Sequence, residues 1–287
     1  MDKVAEKQSK INRQQDELIA QYPALWENII AEWRSPGPDR AWLMYSANYL
    51  FRTSEVCWAL DPLTLNWRLR NSAPSIDISA LRDLSFILLT HRHEDHLDLN
   101  LISALKNLSI CWVVPEAILS QVMEQGGIQS KSIIVPKPLQ PIELNGIRVT
   151  PFDGLHWEKL PDGTFKGIPE IAYLVEFNNK RWLFPGDTRN YDASRLPDFG
   201  RLDGVFAHLW MGRGCACIEP PPLLESFCNF FASQRSPRIV LTHLMEFGRE
   251  SDDYWDASHA QTAISFFRTN HRHIEVSYAT IGQKVFL

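Results

Sequence analysis

The stretch Thr90-His91-Arg92-His93-Glu94-Asp95-His96-Leu97-Asp98 follows directly on the apolar run Phe86-Ile87-Leu88-Leu89. It therefore reads as a loop at the mouth of a buried strand. His91 and His93 lie two apart at the strand end, so both rings can point the same way. Asp95 and His96 follow on the turn before a helix expected from Leu99, where they can face a second position beside the first. Imidazole nitrogen combined with carboxylate oxygen suits zinc best, and the same donors accept iron or manganese. Isolated histidines are common, but four donors at this spacing are specific. One loop cannot close two coordination spheres, so further ligands are needed, and the ends of apolar strands supply them. His156 follows Ile147 to Phe152, Asp187 follows Trp182-Leu183-Phe184-Pro185-Gly186, and His243 follows Ile239-Val240-Leu241-Thr242.

The remainder of the chain reads as a scaffold able to carry such a site. Its 287 residues are 45% hydrophobic, enough to fill a sizeable core. The formal charge of −5 provides no basic field for a phosphate backbone, which sets nucleic acid aside as a partner. Five irregularly spaced cysteines make no disulfide framework, and neither a signal core nor a bilayer-length apolar run is present, so a cytoplasmic protein is expected. Val4, Ile11, Leu18, Tyr22, Trp26, Ile29, Ile30 and Trp33 recur at helical spacing. They define an N-terminal helical arm, residues 1–34, ahead of a main domain at 35–287. Pro23 is expected to split the arm into two helices. The apolar stripe would pack on its own domain, with a homo-oligomer contact or an active-site lid as the sharper alternatives.

Beyond Ser35-Pro36-Gly37-Pro38 the pattern changes to short strands. Ala41 to Phe51 and Val56 to Leu60 are expected to pair, and Asn145-Gly146 and Asn178-Asn179 mark two further hairpins. Helices are expected at Leu99 to Lys106, Glu116 to Gln125, Leu223 to Ser233 and Ala257 to Thr269, with strands between them. Two central sheets with helices outside follow from this alternation.

Taken in order, T-H-R-H-E-D-H-L-D, G-L-H-W, F-P-G-D-T and L-T-H over residues 90 to 243 resemble the metallo-β-lactamase superfamily, most closely its L-ascorbate-6-phosphate lactonase-like branch. The resemblance covers roughly residues 41 to 287 and implies a mixed α/β fold, the four-layer αββα sandwich. It implies that His91, His93 and His156 hold a first divalent ion, that Asp95, His96 and His243 hold a second, and that Asp187 bridges them. Asp61, in A-L-D-P, resembles the family acid that supports the metal loop from behind. One or two ions, zinc foremost, would then make a water nucleophilic near neutral pH, with Asp95 orienting it and passing its proton to the leaving group. By formal count such a centre stays about one charge positive and favours a small anionic substrate.

Three weaker assignments go with these. His208 stands where relatives carry Pro and could reach the substrate; Arg189 could clamp an anion through its planar fork; Trp157, like Trp210, could wall the pocket. Cys215 and Cys217 lack a second pair and read as loop residues, while His259, His271 and His273 read as capping or solvated. The function expected is a metal-dependent hydrolase of an ester or lactone, with a phosphodiesterase of the cyclic or phospholipase D type as the alternative. A di-iron redox protein ranks lower, because His93 stands where such relatives carry Glu, and a module holding metal only for structure ranks lower as well.

Overall fold

A computed structural model describes residues 3–65 and 75–287, without the side chains of residues 3 and 4, so Val4's side chain lies outside the described residues. Helix α1 (Lys3–Arg34) leads into β1 (Arg40–Leu43), β2 (Tyr49–Thr53) and β3 (Val56–Leu60). Then β4 (Phe86–Leu88), α2 (Leu99–Leu105), β5 (Cys111–Val113), α3 (Leu119–Glu124) and β6 (Ile133–Ile134) alternate. The hairpins β7 (Ile142–Leu144) with β8 (Ile147–Asp153), β9 (Trp157–Lys159) with β10 (Phe165–Gly167), and β11 (Ile171–Phe177) with β12 (Lys180–Phe184) come next. The chain closes with β13 (Gly204–His208), α4 (Leu224–Ala232), β14 (Arg238–Thr242), α5 (Ala257–Asn270), β15 (Glu275–Tyr278) and β16 (Lys284–Phe286).

These strands form two seven-stranded sheets, ordered β16-β1-β2-β3-β4-β5-β6 and β15-β14-β13-β12-β11-β8-β7. Alternation along each strand sorts its side chains into layers. Phe206 and Val240 belong to the main core, whereas Val205, Ala207, Ile239 and Leu241 join a second cluster with Phe227, Phe231, Ala263 and Phe267 of α4 and α5. Between the sheets the contacts are aromatic: Phe51 meets Phe184 edge-on at 5.4 Å, and Tyr49 meets Phe206 at 5.0 Å. Helices α1, α2 and α3 contribute their apolar residues to the core on the side of the first sheet, completing an αββα sandwich. The turns Asn145-Gly146 and Asn178-Asn179 both have positive φ at the two central residues, the geometry that suits a two-residue hairpin. No helix among the described residues is long and apolar enough to cross a membrane.

Two local expectations are corrected. Pro23 does not divide the arm, because α1 runs unbroken through it. A proline in a helix interior removes one backbone hydrogen bond and costs roughly 3 kcal/mol. Burial on both sides of it, by Ile11 and Tyr22 before and by Trp26, Ile29 and Trp33 after, offsets that cost and keeps the two halves in line. Pro23→Ala should therefore raise stability by about 1–3 kcal/mol in urea unfolding. A variant no more stable than the parent would mean that the proline marks a real break.

The stretch Ala41 to Phe51 is not one strand but β1 and β2 running antiparallel. The Asn48 side chain explains the reversal. Its Oδ1 accepts from Ser46 N at 3.2 Å, and its Nδ2 donates to the carbonyls of Asp61 at 2.8 Å and Asp95 at 2.9 Å. An Asn that satisfies its own backbone in this way makes a turn where apolar periodicity alone suggests a strand.

Candidate metal centre

Parallel pairing decides where the site forms. Strands β3 and β4 are parallel neighbours in register Leu60↔Leu88, so Asp61 and the 90–98 loop emerge side by side. In the second sheet β12, β13 and β14 are consecutive parallel strands, and their tips deliver Asp187, His208 and His243 to the same edge. Convergence at the carboxyl ends of parallel strands is where α/β sheets hold their ligands.

Two groups of donors meet there. In the first, His91 Nε2 lies 3.2 Å and His156 Nε2 3.0 Å from His93 Nδ1, and His156 Nε2 lies 3.5 Å from Asp187 Oδ2. In the second, Asp187 Oδ1 lies 3.4 Å from both His96 Nε2 and His243 Nε2, and His243 Nε2 is 3.0 Å from Asp95 Oδ2. Two ligand atoms held about 2.0–2.1 Å from one ion at tetrahedral or octahedral angles are roughly 2.9–3.4 Å apart. The observed spacings match that requirement. All seven residues expected as ligands are thus brought together, and the two oxygens of Asp187 face different groups.

The rings are held from behind. His96 Nδ1 meets Asp61 Oδ2 at 2.8 Å, and Asp61 also accepts from Thr90 N at 2.8 Å and Thr90 Oγ1 at 2.5 Å. This contact turns the buried His96 Nε2, which has no hydrogen bond of ordinary geometry, toward the two carboxylates. His91 Nδ1 is 3.1 Å from Glu170 Oε1, which also accepts from Asp187 N at 2.9 Å. A Cβ on Gly186, at φ +69°, would come within 2.4 Å of that carboxylate, as would one on Gly154, so both positions need glycine. His243 itself sits at φ +64°, a strained backbone kept in place by its N–H donating to Ser46 O at 3.0 Å.

The electrostatics fit a cation. Burial alone would raise Asp95 and Asp187, yet His96 and His243, joined by Arg189 at Asp187, hold both carboxyls well below the usual range. Burial works against a charge on His96, but Asp187 and Asp95 keep it well above an ordinary histidine. Burial, with the charge of His96 beside it, keeps His91 well below; burial brings His156 and His208 down to about 4 and lifts Glu170. Asp95 and Asp187 are thus favoured as carboxylates and His91, His156 and His208 as neutral imidazoles, the forms in which these groups bind metal; His96 is the exception, favouring the proton that an ion would displace. Nitrogen and carboxylate oxygen make up both groups, and such a donor set can hold divalent first-row ions.

Residues expected at the substrate divide. Arg189 lies beside the cavity, with Nη2 donating to Asp187 Oδ2 at 2.7 Å and its guanidinium 5.0 Å from the Trp210 ring. His208 is not out in the pocket but within the second donor group, 2.8 Å from Asp187 Oδ1. Trp157 lies apart from the metal-side cavity. It packs edge-on against Phe165 at 4.8 Å, beneath Arg195, and faces a neighbouring groove, because β9 turns that face outward.

Sequence reasoning missed Glu170, Asn48 and Arg249. Glu170, an acid placed immediately before an apolar strand, was the only one of these with a visible signal. Cys215 and Cys217 are free, His259 caps α5 through Asp256, and His271 binds Asn229. Glu170→Ala is expected to weaken metal binding about 10–100-fold, because it releases the His91 ring; metal titration calorimetry would measure it, and an unchanged affinity would remove Glu170 from the site.

The family model of the beta-lactamase superfamily domain matches residues 60–243, which contain every donor described above. None of the curated proteins matches the chain. Among solved structures, the metallo hydrolase Igni18 of Ignicoccus hospitalis is 15% identical with a TM-score of 0.60, over 87% of this chain and 98% of its own. The isothiocyanate hydrolase from Delia radicum gut bacteria is 16% identical with a TM-score of 0.59, over 86% and 98%. CmlA, a diiron β-hydroxylase from Streptomyces venezuelae, is 14% identical with a TM-score of 0.59, over 88% of this chain and 55% of its own. At these identities the likeness is one of fold.

Proposed function

Because this chain belongs to the beta-lactamase superfamily, we propose that it is a metal-dependent hydrolase of a small anionic ester or lactone. The observation that carries the reading is the two-faced carboxylate of Asp187, with His91, His93 and His156 on one side and His96, His208 and His243 on the other, where Asp95 reaches His243 at 3.0 Å. These residues would hold one or two divalent ions, zinc foremost, with manganese or iron acceptable to the same donors. When bound, such an ion lowers the pKa of a coordinated water toward about 7 and polarises the carbonyl under attack.

The chain's own residues supply the remainder. Asp95, charged and buried at the cavity wall, takes the proton of the attacking water and returns it to the leaving oxygen. Arg189, stacked on Trp210 and tied to Asp187, gives the substrate anion a fixed positive partner. Arg249, which also lines the cavity, reinforces it; it is anchored by Glu246 at 2.6 Å and lies 3.5 Å from Asp95. A cavity of about 360 Å³ suits a small molecule rather than a polymer. The resemblance of the sequence motifs to the L-ascorbate-6-phosphate lactonase-like branch favours the same substrate class.

The test is a panel of carboxylated and phosphorylated lactones beside phosphodiesters, each with zinc, manganese and iron. Lactone turnover abolished by a chelator and restored by metal is expected. Turnover of phosphodiesters alone would replace the reading with a phosphodiesterase, and a protein that binds metal yet hydrolyses nothing on the panel would count against an enzyme of either kind.

A further inference from the structure

His208 lies at the tip of β13, paired in register with Thr242 on β14, so its ring stands beside that of His243. Its Nδ1 is 2.8 Å from Asp187 Oδ1, and the two side chains are buried. The rings of His96, His208 and His243 form a nearly equilateral triangle. Centres are 5.6 Å apart for His96 and His208, 5.6 Å for His96 and His243, and 5.4 Å for His208 and His243, with the planes within 20° of one another. Three imidazoles bound to one ion at roughly 2.0–2.1 Å, and spread around it at roughly 120°, put their ring centres roughly 5.5 Å apart. A histidine that merely hydrogen-bonded Asp187 would be under no such constraint relative to the other two rings.

We infer that His208 is a third imidazole ligand of the second ion position, through Nδ1, where the superfamily resemblance supplies only His96 and His243. The inference rests on the metal-dependent reading of this site and commits it to two ions. Around that position stand three nitrogens together with the oxygens of Asp187 and Asp95, 3.4 Å and 3.7 Å from His96 Nε2. The first position has no counterpart to His208: its partners are His91, His93, His156 and the other oxygen of Asp187. The extra nitrogen makes the second position the better furnished of the two, and it leaves that ion fewer places for water and substrate.

The test is metal stoichiometry and affinity, read by elemental analysis and calorimetry on the chelator-stripped full chain, together with cobalt(II) spectra. Wild type should take two ions and His208→Ala one, the second weakened by more than the roughly 10–100-fold that loss of an outer partner produces. His208→Gln keeps a donor for Asp187 but has no imidazole, and it too should hold one ion. His208→Cys loaded with cobalt should show a thiolate-to-cobalt charge-transfer band that wild type lacks; this reading decides the matter even if the alanine variant fails to fold. Two ions held with unchanged affinity by His208→Ala or His208→Gln, or a cobalt-loaded His208→Cys without that band, would overturn the assignment. A wild-type protein that takes up no ion would overturn the metal-dependent reading itself, and this inference with it.

Discussion

Asp187→Ala should empty both ion positions and lower turnover by about 10³-fold or more. Its carboxylate joins both donor groups: Oδ2 faces His156, and Oδ1 faces His96, His208 and His243. Its loss also strands Arg189, whose buried guanidinium rests on this carboxylate at 2.7 Å. Breaking a buried pair from one side costs on the order of 3–5 kcal/mol. The metal-free variant should therefore unfold at lower urea than the metal-free parent, whereas a ligand acting only on the metal would leave that midpoint alone. Elemental analysis, kinetics and urea titration on the same preparation separate these effects. A variant that keeps one ion and a tenth of its activity would show that the two positions are independent.

Asp95→Ala is expected to behave differently. Turnover should fall about 10²–10⁴-fold, the usual contribution of a positioned acid and base. The ion held by His91, His93 and His156 should remain, because Asp95 is not among that group. Asp95→Asn, which keeps the shape but cannot take a proton, should be nearly as slow while retaining more of the second ion. If Asp95→Ala left both metal content and turnover intact, the proton-transfer role would have to be abandoned. A drop in metal alone, with activity restored by excess ion, would reduce Asp95 to a ligand.

How far the molecule was legible before its structure depended on the range of the determining interaction. The nine residues from Thr90 to Asp98 announce themselves because their chemistry is local, and Asn145-Gly146 and Asn178-Asn179 because a two-residue turn is decided by its own backbone. Pro23 misled because its cost is local and the compensation, burial of Tyr22 and Trp26, is tertiary. The break between β1 and β2 was hidden for a similar reason. Asn48 makes its turn by bonding to carbonyls 13 and 47 residues away. The role of Glu170 has no local signal because its partners, the N–H of Asp187 and His91, meet it only once β11 pairs with β12 and Ile171 N donates to Thr90 O. Its place beside His156 points Trp157 to the pocket, but Trp157 opens β9 and shares a strand face with Phe165 of β10, against which it packs.

His208 shows the same dependence on pairing. As a lone histidine after an apolar strand it could equally be a core residue or a substrate contact. The parallel register of β13 with β14 puts its ring beside that of His243, and burial of the Asp187 carboxylate puts it against the shared oxygen.

Anomalous diffraction from crystals grown in excess zinc tests the central claim most directly. Two peaks are expected, one about 2.0–2.2 Å from His91 Nε2, His93 Nδ1, His156 Nε2 and an oxygen of Asp187, the other at that distance from His96 Nε2, His243 Nε2 and the other Asp187 oxygen. No peak at these donors, or zinc bound only at surface residues elsewhere, would contradict the account.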